Sequence, residues 1–308
     1  MIIRKTLNTL ALIFISLLPN ASLGQPLVVR PVTDGIWAIV GEHSQRSPEN
    51  LGNNATFGLI VTEAGAVLID PGGSFAGAAA LDDAIRTVTD LPVTYVVNTG
   101  GQDHRWLGNA YWQEKGAVVI AAEAAVEDQR ARGSMQISIL SQLLGDALAG
   151  TEPAYADTTF AGSYSLDLGE LAIEIVNPGP AHTPGDSFVW VPGRSTIFTG
   201  DIIYTERLLA LLDVSSISSW PEAYMAVEAT GATFVVPGHG APTTMSRARA
   251  DTFDYLMNLR EQIRTLIDDG GDILQSPHVE QSAFAYLQQF ETLAGRNAQQ
   301  AYQQMEWE

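Results

Sequence analysis

Val93-Thr94-Tyr95-Val96-Val97 runs straight into Asn98-Thr99-Gly100-Gly101-Gln102-Asp103-His104-Arg105. A short apolar, β-branched run stopped by Gly reads as a buried strand. The loop that follows it carries an imidazole. Two further loops repeat that setting. His182 lies in Gly179-Pro180-Ala181-His182-Thr183-Pro184-Gly185-Asp186, after Ile173-Glu174-Ile175-Val176, and His239 lies in Pro237-Gly238-His239-Gly240, after Phe234-Val235-Val236. A fourth loop, Thr199-Gly200-Asp201, follows Thr196-Ile197-Phe198 and ends in a carboxylate. Binding sites concentrate in loops at strand ends on a rigid sheet, and Gly lets the backbone approach closely there. Only five His occur, and the other two, His43 and His278, have no such setting and read as surface residues.

Outward from these loops, strand-like and helix-like runs alternate. Thr56–Val61 and Ala66–Asp70 flank Glu63-Ala64-Gly65, a hairpin signal. Helices are expected near Ser74–Val88, Trp106–Lys115, Glu123–Leu148 with a break near Gly133, Trp220–Thr230 and Arg247–Asp269. Met135, Ile139, Leu143 and Leu144 are expected in the core, and Gly133 is a candidate hinge for a lid. Further strands are expected at Ile36–Val40, Ala117–Ile120, Tyr164–Leu168, Leu171–Val176, Ser187–Val191, Ser195–Phe198 and Thr233–Val236. Two similar halves predict an α/β fold of two packed sheets with helices outside, a four-layer αββα sandwich. The expected organisation is a leader over residues 1–24, one domain over 25–270 and a helical extension over 271–308 packed on the same domain.

Composition narrows the function. The 308 residues carry 16 Lys plus Arg against 35 Asp plus Glu, a formal charge of -19. Such a surface cannot track phosphates, so nucleic acid is excluded as a partner, and anionic membranes are disfavoured for the same reason. The absence of Cys removes disulfides, thiol nucleophiles and Cys-held metals. Arg4 and Lys5, the apolar run Leu10–Leu18 and Ala21-Ser22-Leu23-Gly24 have the three-part layout of a secretory signal, with cleavage before Gln25. The run is too short for a spanning helix, which needs about 20 apolar residues. A periplasmic or secreted, soluble protein acting on a small molecule is expected.

The chain resembles the metallo-β-lactamase fold superfamily, and most of all its periplasmic hydrolase branch, which includes the quinoprotein relay system zinc metallohydrolases. The resemblance rests on Val67-Leu68-Ile69-Asp70-Pro71-Gly72, Asn98-Thr99, Gly108-Asn109, Ala181–Asp186, Thr199-Gly200-Asp201 and Val236-Pro237-Gly238-His239-Gly240. It implies the αββα sandwich and up to two metal ions at the sheet edge. It also implies His-x-His-x-Asp-His between the Asn-Thr and Gly-Asn pairs. Aligned without gaps, this chain has Gly100, Gln102, His104 and Arg105 at those four positions. A slide of one residue would put Asp103-His104 in the Asp-His place instead.

Two outcomes follow. In one, a single zinc, or iron or manganese on the same donors, binds His104 or Asp103 together with Asp201 and His239, with His182 as a further candidate. Its water attacks a small ester, lactone or amide. Asp103 then serves as general base, and Arg105 and Gln102 contact an anionic substrate. In the other, the active site is degenerate, binds no metal tightly, and the chain is a periplasmic binding or accessory protein. Asp70 reads as a hydrogen-bonding support for a site loop or as the cap of a turn. Thr183 and Asp186 shape the His182 loop, Asn53 and Asn54 face substrate or form a turn, and Trp106, Trp112 and Trp220 belong to the core. Glu206 and Arg207 read as loop charge or cleft lining.

Overall fold

A computed structural model describes residues 27–169 and 171–308. The expected leader lies outside them. The first sheet has seven strands in sequence order: β1 (Val28–Thr33), β2 (Ile36–Val40), β3 (Thr56–Thr62), β4 (Gly65–Ile69), β5 (Val93–Asn98), β6 (Val118–Ala122) and β7 (Thr158–Phe160). The second has five, ordered β12 (Phe234–Val236), β11 (Thr196–Phe198), β10 (Phe188–Val191), β9 (Ala172–Val176) and β8 (Ser163–Asp167). The β4–β5–β6 pairings are parallel, with Leu68 opposite Val96 and Val96 opposite Val119, and so is β11–β12, with Ile197 opposite Val235.

Alternation along β5 shows how the layers are built. Val97 points into the interior between the sheets, beside Ile69, Ile120, Ile175, Val189 and Val236. Its neighbour Val96 points the other way, into a layer with Leu81, Ile85 and Trp112. That layer belongs to α1 (Phe75–Ile85) and α2 (Asn109–Glu114). Both faces of the strand are therefore buried, which is why it carries no polar alternation. Each such side chain contributes about 1.5–3 kcal/mol on burial. The outer face of the second sheet is covered by α4 (Trp220–Glu228), α6 (Asp254–Asp268) and α7 (Phe290–Met305). Their Trp220, Leu259, Ile263, Ala298 and Tyr302 share one cluster with Ile197 and Val235. The result is the four-layer αββα sandwich.

The structure departs from expectation in three places. Strands β1 and β7 depart from the expected set, because both are partly exposed edge strands, β1 carries Pro31 and β7 is only three residues long. The helix α3 (Glu123–Leu144) is continuous through Gly133. A Cβ at Gly133 would lie 3.0 Å from the Trp106 ring, so this Gly makes room for a packed indole and is not a hinge. Met135, Ile139 and Leu143 are not core: they are 50%, 50% and 42% exposed, while Leu140 and Leu144 turn inward with Trp106. The segment expected as one helix over 247–269 opens with α5 (Met245–Ala248) and a π-helical turn, Arg249–Phe253, before α6. In that turn Thr252 binds the Tyr204 backbone at both its N–H and its carbonyl.

Gly133→Leu should lower stability by about 1–3 kcal/mol, the usual cost of overpacking. Urea denaturation reads this. A gain in stability, as helix propensity alone dictates, would contradict the packing role.

Candidate functional site

The ends of β4, β5, β11 and β12 meet at one corner of the sandwich, and Arg105 sits at their centre. It lies in a single 3-10 turn, Asp103–Arg105, and is fully buried. All five of its N–H donors are used. Nε donates to Asp201 Oδ2 (3.1 Å) and Nη2 to Asp201 Oδ1 (2.8 Å), a bidentate fork. The second Nη2 proton goes to the Gly238 carbonyl (2.9 Å). Nη1 donates to Asp70 Oδ2 (2.7 Å) and the Thr56 carbonyl (3.2 Å). The approach needs a glycine at 238, where a Cβ would stand 2.7 Å from Nη2 and 2.3 Å from the Gly200 carbonyl.

The two carboxylates respond differently. Burial pushes Asp70 up, and the pull of Arg105 and Thr99 does not overcome it. For Asp201 burial acts the same way, but Arg105 together with His104 holds the carboxyl well below its ordinary range. Asp201 takes both fork nitrogens and two imidazoles, so attraction wins there. Asp70 adopts φ 67, a left-handed conformation that Asp tolerates, and accepts from Thr99 N (2.8 Å) and Thr99 Oγ1. It thus ties the β4 end to the β5 loop.

His104 Nε2 lies 3.1 Å from Asp201 Oδ2, and His239 Nε2 lies 3.2 Å from Asp201 Oδ1. These three residues offer ligand atoms within 4.8 Å of one another, a possible His/Asp/His metal group. The opposite edges of the rings face arginine. Arg207 Nη1 is 3.2 Å from His239 Nδ1, and Arg46 Nη2 is 2.9 Å from His104 Nδ1. A guanidinium can only donate, so His239 Nδ1 accepts and the ring proton sits on Nε2, directed at Asp201. Burial and Arg207 lower its pKa well below the ordinary value, which keeps the ring neutral. Tyr204 stacks on it at 4.5 Å.

The donor set matches a metal site in number and spacing but not in protonation or occupancy. A metal on His239 Nε2 needs the proton moved to Nδ1, where it would meet the Arg207 N–H. A metal on Asp201 must displace a guanidinium that already engages both oxygens. The position that the family resemblance assigns to a ligand at Gly100 is closed as well: a Cβ there would lie 2.5 Å from Asp186 Oδ1. Burial and the nearby Asp201 charge push Asp186 up to about 8. The Asp186 carboxyl shapes the His182 loop through Thr183 N (2.8 Å) and Thr183 Oγ1.

The remaining expected site residues divide. His182 lies outside the three-residue group: its Nδ1 donates to the Ala210 carbonyl (2.9 Å) and its ring packs on Tyr204 and Trp220. Burial lowers its pKa to about 4, so it too is neutral. Asp103 points away from Asp201, paired with Arg46 and 3.1 Å from His104 Nδ1. That carboxyl is held far below its usual range against the opposing effect of burial, by Arg46 and His104, which suits a structural anion and not a general base. Arg105 has no donor left for a substrate. Gln102 does line a cavity, with its Oε1 buried and unpartnered. Asn53 braces the Gly73 and Gly77 backbone, and Trp106, Trp112 and Trp220 are core. His278 is exposed, whereas His43 is half-buried against Glu206 at 3.4 Å.

Arg46 is the residue that the sequence reading did not single out, whereas Arg207, read as loop charge or cleft lining, does line the cavity. Arg207 is only 4% exposed, not a solvated loop charge. Its place six residues past Asp201 was a weak signal, and nothing local marks Arg46.

Comparison with known proteins agrees with this architecture. The sequence profile of the Metallo-beta-lactamase superfamily matches residues 52–273. A metallo-beta-lactamase from Pontibacter korlensis superposes with a TM-score of 0.60 at 23% identity, covering 75% of this chain and 99% of its own. The metallo-beta-lactamase FIM-1 from Pseudomonas aeruginosa, solved in a mono-zinc form, gives 0.58 at 20% identity, covering 74% and 95%. At these identities the likeness concerns the fold.

Arg105→Met should cost about 3–5 kcal/mol, because it strands two buried carboxyl groups. Arg105→Lys should recover little, since three donors cannot serve five acceptors. Urea midpoints within about 1 kcal/mol of the unchanged chain would contradict this.

Proposed function

This chain belongs to the metallo-β-lactamase superfamily, and on that premise we propose that it is a metal-poor member, a binding or accessory protein with an internal cation where its relatives hold a metal. The observation that carries this reading is the complete engagement of Arg105. A permanent cation with five satisfied donors neutralises Asp201, the carboxylate that the family resemblance assigns to bridge two metals. The fold remains hydrolase-like, but one fold hosts many chemistries, and the name does not carry lactamase activity with it.

Export to the periplasm is part of the proposal. It rests on the leader pattern of residues 1–24. Among the described residues no helix is long and apolar enough to cross a membrane, which fits a chain released after cleavage.

A second reading is favoured by one observation, the three ligand atoms of His104, Asp201 and His239 within 4.8 Å. Under it the chain is a hydrolase with one zinc, acting on a small ester, lactone or amide. That the FIM-1 structure is a mono-zinc form shows that the fold accepts a single ion.

Metal analysis separates the two. Chain recovered from the periplasmic fraction, its N-terminus read as Gln25, should carry well under one metal ion per molecule after dialysis without chelator. His239→Ala should leave that content unchanged. One zinc per chain, lost on His239→Ala, would establish the hydrolase reading instead.

A further inference from the structure

A cavity of about 310 Å³ opens beside the site, walled by the 102–103 turn, the 207–213 loop, α3 and α7. Four arginines line it: Arg46, Arg132, Arg207 and Arg296. Two carboxylates do so as well, Asp103 and Asp213. Asp103 is already paired with Arg46, and Arg132 is paired with Asp128. In a chain with 35 acidic and 16 basic residues, this local excess of cations runs against the overall balance.

Arg207 is the informative member. It is almost fully buried, joins no ion pair among the described residues, and makes its side-chain hydrogen bond to the His239 imidazole. Its Nε is buried without a partner, as are Arg46 Nε and Gln102 Oε1. A buried guanidinium without an anion is costly, and a planar anion received bidentately meets that need.

Beside these polar groups the lining has an apolar part. Met135, Ile139 and Leu143 stand on one face of α3, each 42–50% exposed, and Leu293 of α7 completes that part. Three large exposed hydrophobics at helical spacing over a cavity are a contact surface in search of a partner. Small-molecule sites combine such apolar walls with a few convergent polar groups. The α7 wall lies beyond the superfamily match, and a backbone bridge from Arg207 to Gln288 ties the arginine loop to that extension.

We propose that this cavity binds a small amphipathic carboxylate. The carboxylate is held by Arg207 and Arg46, and the apolar body lies along Ile139 and Leu143. The inference rests on the binding-protein reading above and gives that site its ligand class.

Calorimetric titration of the full mature chain with decanoate tests it, with decanol and acetate as controls lacking one half of the chemistry. Decanoate should bind saturably at one site, at least ten-fold more tightly than either control. Arg207→Met should weaken it ten-fold or more. Should that buried substitution unfold the chain, Ile139→Glu, at a half-exposed helix position, carries the same expectation through charge repulsion, and Arg296→Ala a several-fold loss. Absence of saturable decanoate binding would overturn the proposal, and so would affinity unchanged in the folded variants. Metal content measured on the same samples keeps the two readings apart. One zinc per chain with decanoate binding intact removes only the metal-poor reading. A metal-poor chain that ignores decanoate removes only this inference.

Discussion

The ion-paired fork of Arg105 on Asp201 is the interaction from which the rest of the site follows. A guanidinium brought wholly out of water is tolerable only when every donor finds an acceptor and the charge is matched. Here two carboxyl groups and two backbone carbonyls do that, and they come from four different strand ends. The arginine is therefore a cross-brace for the corner of the sandwich as much as a charge. Metal ions in such a position perform a similar mechanical task by gathering loops that have no other reason to converge.

Occupancy by arginine has consequences for its neighbours. Because Arg105 holds Asp201 ionised, both flanking imidazoles can direct Nε2 at its oxygens. Because Arg207 backs His239, that ring is locked in the tautomer with its Nε2 lone pair removed from use. The fixed cations of the corner are thus side chains that cannot exchange with solvent ions. Arg46 and Arg207 continue outward into a cavity that Met135, Ile139 and Leu143 also line, so the corner presents fixed charge to a ligand in place of a Lewis acid.

Much of this was legible in the sequence. Val93–Val97 and its counterparts announced buried strands because residues covered on both faces have no polar alternation, and three His and an Asp after such strands marked the convergent loops. The substitution of Arg105 for an expected imidazole was visible as a departure, though its direction was not. Spacing cannot say whether an arginine at a loop end faces solvent or its own carboxylates. Asp103 was misplaced for a related reason: a 3-10 turn rotates successive side chains by about a third of a circle, so His104 faces Asp201 and Asp103 faces Arg46. Met135, Ile139 and Leu143 looked like core because composition reveals an apolar stripe without revealing what covers it. Arg46 pairs across 57 positions with Asp103, a contact that no local pattern encodes.

The protonation of His239 is the most direct test of this account, since a neutral ring with its proton on Nε2 and a ring coordinating metal through Nε2 cannot coexist. Nitrogen-15 NMR of the histidine side chains, recorded before and after addition of equimolar zinc, distinguishes them. The account predicts a neutral Nε2–H ring for His239 in both spectra. A proton relocated to Nδ1 once zinc is present would contradict it.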